Sequence, residues 1–249
     1  MHQPLKNFNS GAPTISNLLE LASPNWLGDI TMSAGLDTIR NDPLYDWTVY
    51  HIASPYFFHE CVAAFTHEDP EWMRPFKSVF NEICNTVKYV CFPLCHSQHW
   101  FIICISLADG VIHHGDGFSK PKANLPERLF EIIENVFSRF VGVATSTWNK
   151  VNPVFECVKS PRQTDGHSCG IVCLVLIERF VLNKQSVDWN PANDNFYRAM
   201  WLERCISLHK GKASRRRNEN ASSKPDIGIS PGPIKLSRDS APRHVDILA

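Results

Sequence analysis

Long apolar segments separated by short polar ones divide the first 209 residues into predicted strands and helices. The clearest strand, Trp100 to Leu107, is an almost continuous apolar run, which favours a strand buried on both faces. Asp109-Gly110 follows it as a two-residue turn signal, so residues 111–114 should return as the next strand. Shorter strands are predicted at 47–52, 88–94 and 154–158.

Six segments instead carry apolar residues at helical spacing. The predicted helices are 15–22, a second that comes with the motif Trp26-Leu27-Gly28-Asp29 and runs to about Arg40, and then 56–66, 72–86, 125–141 and 169–182. A polar loop over 160–168, with Pro161 and Gly166, leads directly into the last of these. Cys169 is therefore expected in the first turn of a buried helix.

The composition changes after His209. Residues 210–249 contain no aromatic residue, and their nine Lys and Arg outnumber four acidic residues. Such a segment buries too little apolar surface to offset its ordering entropy. We therefore predict one folded domain over 1–209 and a disordered basic tail over 210–249. Arg215 to Arg217 fit a nuclear import signal, but they fit a plain solvated tail as well.

Charge and cysteine content narrow the classes of protein. The formal net charge of zero gives no reason to expect a nucleic-acid or membrane partner. Met1 to Thr14 lack the apolar centre of a secretory signal, and the apolar run Ile171–Leu182 is too short to span a bilayer. Nine cysteines without regular spacing indicate reduced thiols, and so an intracellular protein, cytoplasmic or nuclear.

The segment Gly166-His167-Ser168-Cys169-Gly170 has the strongest chemical signal. Its glycines permit a tight turn into the helix. The free N–H groups and the dipole at the helix start would favour a thiolate at Cys169. Taken alone, Cys169 fits a small buried core residue equally well.

A cysteine nucleophile requires a base and a group that orients the base. His99 opens the buried strand, Asp116 follows the next strand, and Gln163 lies in the loop before Cys169. If the two strands are neighbours, His99 and Asp116 emerge at the same end of the sheet. Each residue alone also fits an ordinary role: a strand-end histidine, a turn aspartate or a loop amide.

Taken together, these motifs resemble the ubiquitin-like-protein-specific cysteine proteases, which include the SUMO-specific and adenovirus-type proteases. The matching segments are Trp26-Leu27-Gly28-Asp29, His99-Trp100, Asp116, and Gln163 through Gly170. The resemblance spans about residues 20–185. Gly28, Ser168 and Gly117-Phe118 stand where the family often has Asn, Asp and Ser-Leu, which suggests a divergent member.

The resemblance implies an α+β, papain-like fold with a central mixed β-sheet flanked by helices, in which residues 1–209 are the catalytic domain. It implies that Cys169 is the nucleophile, His99 the base, Asp116 its orienting group and Gln163 part of the oxyanion hole. Trp26, Asp29 and Trp100 would bind the substrate. The expected partner is a ubiquitin-like modifier such as SUMO, cleaved after its C-terminal Gly-Gly by a monomer that needs no cofactor or metal.

Three other interpretations remain open at this point. Gly166-x-Ser168-x-Gly170 also matches the nucleophile elbow of serine hydrolases, with Ser168 as the nucleophile. Zinc could be held by a set of four residues, Cys91, Cys95, His96 and His99, which would indicate a binding module. The chain could also be an inactive reader of ubiquitin-like proteins.

Overall fold

The computed structural model describes residues 3–9, 12–66, 87–107, 111–118, 128–129, 131–132, 155–157, 162–183 and 189–211. The predicted helix 72–86, most of the predicted helix 125–141, the Asp109-Gly110 turn and the tail beyond Gly211 lie outside these residues. Those four predictions therefore stay predictions.

Within the described residues, five strands form one mixed sheet in the order β1-β2-β3-β4-β5. They are β1 (Tyr50–Ile52), β2 (Tyr89–His96), β3 (His99–Ser106), β4 (Val111–Gly115) and β5 (Phe155–Cys157). The three central strands are antiparallel neighbours, whereas β1 pairs with β2 and β5 pairs with β4 in parallel. The predicted mixed sheet is thereby confirmed.

Helices accompany this sheet. They are α1 (Ile15–Leu18), which continues as a 3₁₀ turn over Leu19–Ala22, α2 (Asp29–Arg40), α3 (Phe57–Thr66), α4 (Cys169–Leu182) and α5 (Asp194–His209). A second 3₁₀ turn, Pro191–Asn193, leads into α5. The α+β class is therefore also confirmed.

Helix α4 lies in the hydrophobic core, and its sequence explains why. All of its residues except Arg179 are buried, as expected for a helix that is apolar on every side. It packs against the face of β3 that carries Trp100, Ile102 and Cys104. The nucleophile candidate thus begins a helix that the core holds along its whole length.

Two predictions from the hydrophobic pattern need correction. The strand predicted at 47–52 begins only at Tyr50, because Asp46 Oδ1 accepts hydrogen bonds from the Thr48 N–H (2.9 Å) and hydroxyl (2.7 Å) and holds the preceding residues in a turn. The sequence analysis also missed α5, although Tyr197, Trp201 and Cys205 on this helix are buried at a spacing of four.

The two ends of the described chain meet at the end of α5. The Asn7 amide donates to the carbonyl oxygens of Leu208 (3.0 Å) and His209 (3.1 Å), and the Lys6 N–H donates to the His209 ring (3.0 Å). Carbonyl groups at a helix C-terminus have no intrahelical donor, so the N-terminal segment caps α5. Among the described helices, none combines the length and apolar character that crossing a membrane requires.

Candidate active site

Cys169 is the first residue of α4 and is 2% exposed. Asp165 organises the turn before it. Its Oδ1 accepts from the N–H groups of His167 (2.8 Å) and Ser168 (2.7 Å), and its Oδ2 accepts from the Ser168 hydroxyl (2.9 Å). Burial opposes ionisation of Asp165, but these hydrogen bonds outweigh it and hold the pKa of Asp165 below its ordinary value. An aspartate four residues upstream thus sets where Cys169 lies.

Ser168 does not have the setting of a hydrolase nucleophile. Its side chain is fully buried and its hydroxyl is committed to Asp165. A nucleophile elbow follows a strand directly and exposes its serine, whereas residues 162–168 form a loop. The described geometry therefore favours Cys169 over Ser168.

His99 and Asp116 are brought together by the hairpin of β3 and β4. The register pairs Ile102 with Gly115, so three more residues would place His99 opposite Phe118 and diagonal to Asp116 on the same face. His99 Nε2 and Asp116 Oδ1 lie 2.6 Å apart, and the two side chains are 8% and 1% exposed. Since Nε2 is engaged by Asp116, Nδ1 is the ring nitrogen left for another partner.

That partner is Cys169, whose side chain hydrogen-bonds His99. Burial lowers the pKa of His99, but the hydrogen bonds with Asp116 and Cys169 outweigh burial and raise the pKa to about 9. Burial raises the pKa of Asp116, yet the hydrogen bond with His99 outweighs burial and holds this pKa below its ordinary value. His99 is therefore an imidazolium at neutral pH, held between a carboxylate and a cysteine.

Gln163 lies beside this pair. Its backbone N–H donates to Gly117 O (2.7 Å), and its side-chain Nε2 contacts Asp165 O at 2.6 Å and Asp165 Oδ1 at 3.3 Å. Among the residues that the structure describes, none hydrogen-bonds the buried Gln163 Oε1. Because the shorter Nε2 contact is to a carbonyl, which only accepts, the orientation of the amide is fixed. The amide that was predicted to meet an oxyanion is therefore engaged with Asp165 in this structure.

Trp26 and Trp100 stack on one another, with ring centroids 5.7 Å apart and an interplanar angle of 25°. Trp100 is 1% exposed and its Nε1 donates to Leu27 O (2.8 Å), whereas Trp26 is 37% exposed. A Cβ on Gly170 would come within 2.9 Å of Leu27, so the segment with Trp26 packs directly on the start of α4. The tryptophan pair thus lies against the helix that begins at Cys169.

Asp29 begins α2 and hydrogen-bonds Tyr56. Its charge also reaches Cys95: burial first, and then Asp29 and Cys169, raise the pKa of the Cys95 thiol to about 11. The carboxylate of Asp29 is therefore near the Cys169 side of the sheet.

The zinc interpretation is not supported by the arrangement of its four residues. Cys91 is fully buried opposite Cys104, and Cys95 pairs with Trp100. In the part of the chain that the structure describes, no three His, Cys, Asp or Glu side chains are close enough to hold a metal ion.

The structure adds three residues that sequence reasoning missed. Asp165 orders the turn before Cys169, Phe118 stacks on His99 at a centroid distance of 4.4 Å, and Arg198 of α5 donates to His167 O at 3.3 Å. The Asp165-Gly166 pair was a turn signal that could have revealed the first. Phe118 and Arg198 act through contacts between different elements, which leave no local signal.

A mixed sheet, a cysteine at the start of a buried helix and a histidine held by an aspartate define a papain-like cysteine protease domain. In a comparison with family models, the sequence then matches the "Ulp1 protease family, C-terminal catalytic domain" over residues 50–202. The chain belongs to this family. A search of curated protein sequences finds no significant match.

Solved structures show the same fold at low sequence identity. The SUMO protease Ulp1 with its catalytic cysteine oxidised to a sulfinic acid aligns with a TM-score of 0.61 at 14% identity, covering 82% of this chain and 87% of its own. The C-terminal Ulp1 protease domain in complex with Smt3, the yeast ortholog of SUMO, aligns with a TM-score of 0.58 at 14% identity, covering 81% and 84%. The crystal structure of a de-sumoylating protease aligns with a TM-score of 0.60 at 16% identity, covering 88% of this chain and 96% of its own.

Proposed function

We propose that this chain is a cysteine peptidase that cleaves after the C-terminal Gly-Gly of a ubiquitin-like modifier, SUMO or a similar protein, to process or deconjugate it. The observation that carries the proposal is His99, held between Asp116 and Cys169 with its pKa raised to about 9. An imidazolium beside a cysteine is the arrangement of an activated thiol nucleophile. The complex of a family member with Smt3 supports the choice of substrate class.

The proposed reaction has two covalent steps. Cys169 Sγ attacks the carbonyl carbon of the last glycine, and the imidazolium of His99 gives its proton to the leaving amine as the C–N bond breaks. Water then attacks the thioester and loses a proton to His99 as the C–S bond breaks, which releases the carboxylic acid and the Cys169 thiolate and restores the imidazolium. Asp116 keeps the imidazole in the required orientation throughout.

The negative charge on the carbonyl oxygen requires hydrogen-bond donors. The first backbone N–H groups of α4 have no intrahelical acceptor. Gln163 lies six residues before Cys169, and its backbone N–H donates to Gly117 O at 2.7 Å. Of the two contacts of Nε2, the 3.3 Å contact with Asp165 Oδ1 is the longer. An oxyanion can replace this contact while the 2.6 Å bond to Asp165 O keeps the amide in place.

The tryptophan pair accounts for a preference for glycine. A peptide lying between two rings needs contact distances of about 3.5 Å to each, so roughly 7 Å between them. The centroids are 5.7 Å apart, so one ring has to move outward. Trp26, which is 37% exposed, is the ring free to do so, and a substrate side chain would require a larger displacement.

Two further parts of the proposal rest on the sequence. The enzyme acts as a monomer. It lies inside the cell, in the cytoplasm or in the nucleus, and Arg215 to Arg217 would direct it to the nucleus. Import of a fusion protein that carries residues 210–249, compared with one in which these three arginines are replaced by alanine, tests the location.

The activity is tested with a panel of ubiquitin-like proteins, each of which ends in Gly-Gly and carries a thiol-reactive electrophile after the last glycine. Wild-type protein should become covalently labelled by at least one of them, and Cys169→Ala should abolish both labelling and turnover. Cys173→Ala, at a buried thiol one helical turn further on, should keep labelling and is the matched control. Binding of a modifier without labelling would identify an inactive reader, and loss of activity in Ser168→Ala but not in Cys169→Ala would identify a serine hydrolase.

A further inference from the structure

We propose that Phe118 is a positioning residue of this active site, whose ring fixes the plane of the His99 imidazole while its backbone N–H fixes the Asp116 carboxylate. The inference rests on the proposed role of His99 and names a residue outside the catalytic set. It follows from two independent contacts that the same residue makes.

The first contact is between rings. The Phe118 and His99 centroids lie 4.4 Å apart with an interplanar angle of 29°, within the range of favourable offset stacking. The bond from Nε2 to Asp116 anchors one edge of the imidazole but leaves the ring able to tilt about that bond. A phenyl ring against the face of the imidazole opposes this tilt, and so it fixes where Nδ1 points.

The second contact is through the backbone. The Phe118 N–H donates to Asp116 Oδ1 at 2.8 Å, and the same oxygen lies 2.6 Å from His99 Nε2. Asp116 Oδ1 is therefore held by two donors, the Phe118 N–H and His99 Nε2. The first belongs to residue 118 itself, and the second belongs to the ring on which Phe118 stacks. Substituting the side chain removes the stacking and keeps the backbone bond, so the two contacts can be separated.

The turn Asp116-Gly117-Phe118 also reaches the oxyanion side. Gly117 O accepts from the Gln163 N–H at 2.7 Å. One three-residue turn thus carries the orienting carboxylate and contacts both the base and the backbone of Gln163. A ring that anchors the exposed end of this turn therefore affects the base directly and Gln163 only through the backbone.

Phe118 is 38% exposed and stacks on His99, which is 6% exposed. The Phe118 ring therefore separates His99 from solvent. Within the described part of the chain, His99 interacts with the titratable groups of His114 on β4, Asp116 after it, Cys169 on α4 and Cys95 on β2. The attractive interactions with Asp116 and Cys169 outweigh burial, and water admitted by removing the ring weakens all of them. The pKa of His99 should then move from about 9 toward its ordinary value.

The experiment compares Phe118→Ala, Phe118→Leu and the control Phe196→Ala, an exposed phenylalanine on α5. With the modifier substrate that wild type cleaves, Phe118→Ala should lower kcat about tenfold, less than the hundredfold that a 1 Å misplacement can cost, with KM unchanged. Phe118→Leu, which keeps an apolar cover, should recover most of kcat, and Phe196→Ala should match wild type. Equal melting temperatures would show that all three variants are folded.

A second measurement needs no substrate. The His99 ring signal, assigned by its loss in His99→Gln, is followed by NMR as a function of pH. Its midpoint should fall in Phe118→Ala and stay near the wild-type value in Phe196→Ala. Unchanged kcat and an unchanged midpoint in Phe118→Ala would overturn the proposal. If wild type cleaves no modifier but the midpoint still falls, the proposed substrate is wrong and the role of Phe118 stands.

Discussion

Arg198 and His167 join the last helix to the loop of the nucleophile. The Arg198 guanidinium donates to His167 O, two residues before Cys169, at 3.3 Å. It also donates to Ser23 O at 2.9 Å and pairs with the Asp194 carboxylate, and it is 2% exposed. One buried side chain therefore links the segment that leads to Trp26 with the loop that leads to Cys169.

Replacing Arg198 should disturb both segments. Arg198→Ala leaves the Asp194 carboxylate buried without its partner, a change that costs about 3–5 kcal/mol in other buried pairs. Arg198→Lys keeps the charge but loses the planar fork that reaches several acceptors, so it should fold with a lower melting temperature and a lower kcat. The control is Glu131→Ala, which breaks the exposed pair with Arg128 and should leave the melting temperature unchanged.

Asp116→Asn should change both the rate and its pH dependence. We expect kcat to fall about a hundredfold or more, because an amide does not hold the imidazole in the same state. In wild type, kcat/KM should decline on the alkaline side as His99 loses its proton near pH 9. Loss of the carboxylate should move this decline toward lower pH. A wild-type rate in Asp116→Asn would reduce Asp116 to a turn residue.

The same pair makes a prediction for stability. Because the pKa of His99 is raised from 6.5 to about 9 in the folded protein, His99 stabilises the fold fully below pH 6.5. This contribution is lost as the pH rises through about 9. The lowered pKa of Asp116 contributes above its ordinary value of 3.8 and is lost in acid. The difference in unfolding free energy between wild type and Asp116→Asn should therefore be largest near pH 5–6 and should shrink toward pH 10 in denaturant titrations. A difference that grows toward pH 10 would contradict this.

Gly117→Ala and Gly166→Ala form a matched pair of loop substitutions. A Cβ on Gly117 would lie 3.1 Å from Gln163 Oε1 and 3.2 Å from Gln163 Cβ, whereas a Cβ on Gly166 meets nothing within 4 Å. Gly117→Ala should displace Gln163 and lower kcat with little change in KM, while Gly166→Ala should keep wild-type kinetics. Similar kinetics in the two variants would show that the place of Gln163 does not limit the rate.

Trp26→Ala tests the aromatic passage. Wild type should prefer a substrate ending in Gly-Gly over one ending in Ala-Gly, because a Cβ has to displace a packed indole at a cost of roughly 1–3 kcal/mol. Without the Trp26 ring this preference should narrow, as measured by the ratio of kcat/KM for the two substrates. If wild type cuts both substrates equally, the passage does not select glycine, and the case for a ubiquitin-like substrate weakens.

Periodicity in the sequence was enough to predict the central part of the fold. The apolar runs of β3 and α4 differ in length, 8 and 14 residues, and length together with the flanking turn signals separates a buried strand from a buried helix. The predicted pairing of the two neighbouring strands also placed His99 and Asp116 at the same end of the sheet, where the structure has them 2.6 Å apart.

Helix α5 could not be recognised in the same way, because its buried face includes charged residues. Asp194 and Arg198 are both buried, and they mask an apolar stripe that continues through Tyr197 and Trp201. The burial of Arg198 depends on the carbonyl oxygens of Ser23 and His167, which are more than 30 residues away in the chain. Contacts of this kind appear only once the tertiary structure is known.

The capping of α5 by Asn7 places residues near both ends of the described chain side by side. Ten residues of helix, about 15 Å, separate this junction at Leu208 from the level of Arg198. A short peptide could join the two ends here without crossing the nucleophile loop, and neighbouring ends of this kind are what makes circular permutation tolerable. New chain ends could then be opened in a surface loop. The segment around Asn7 and helix α5 would become one continuous segment.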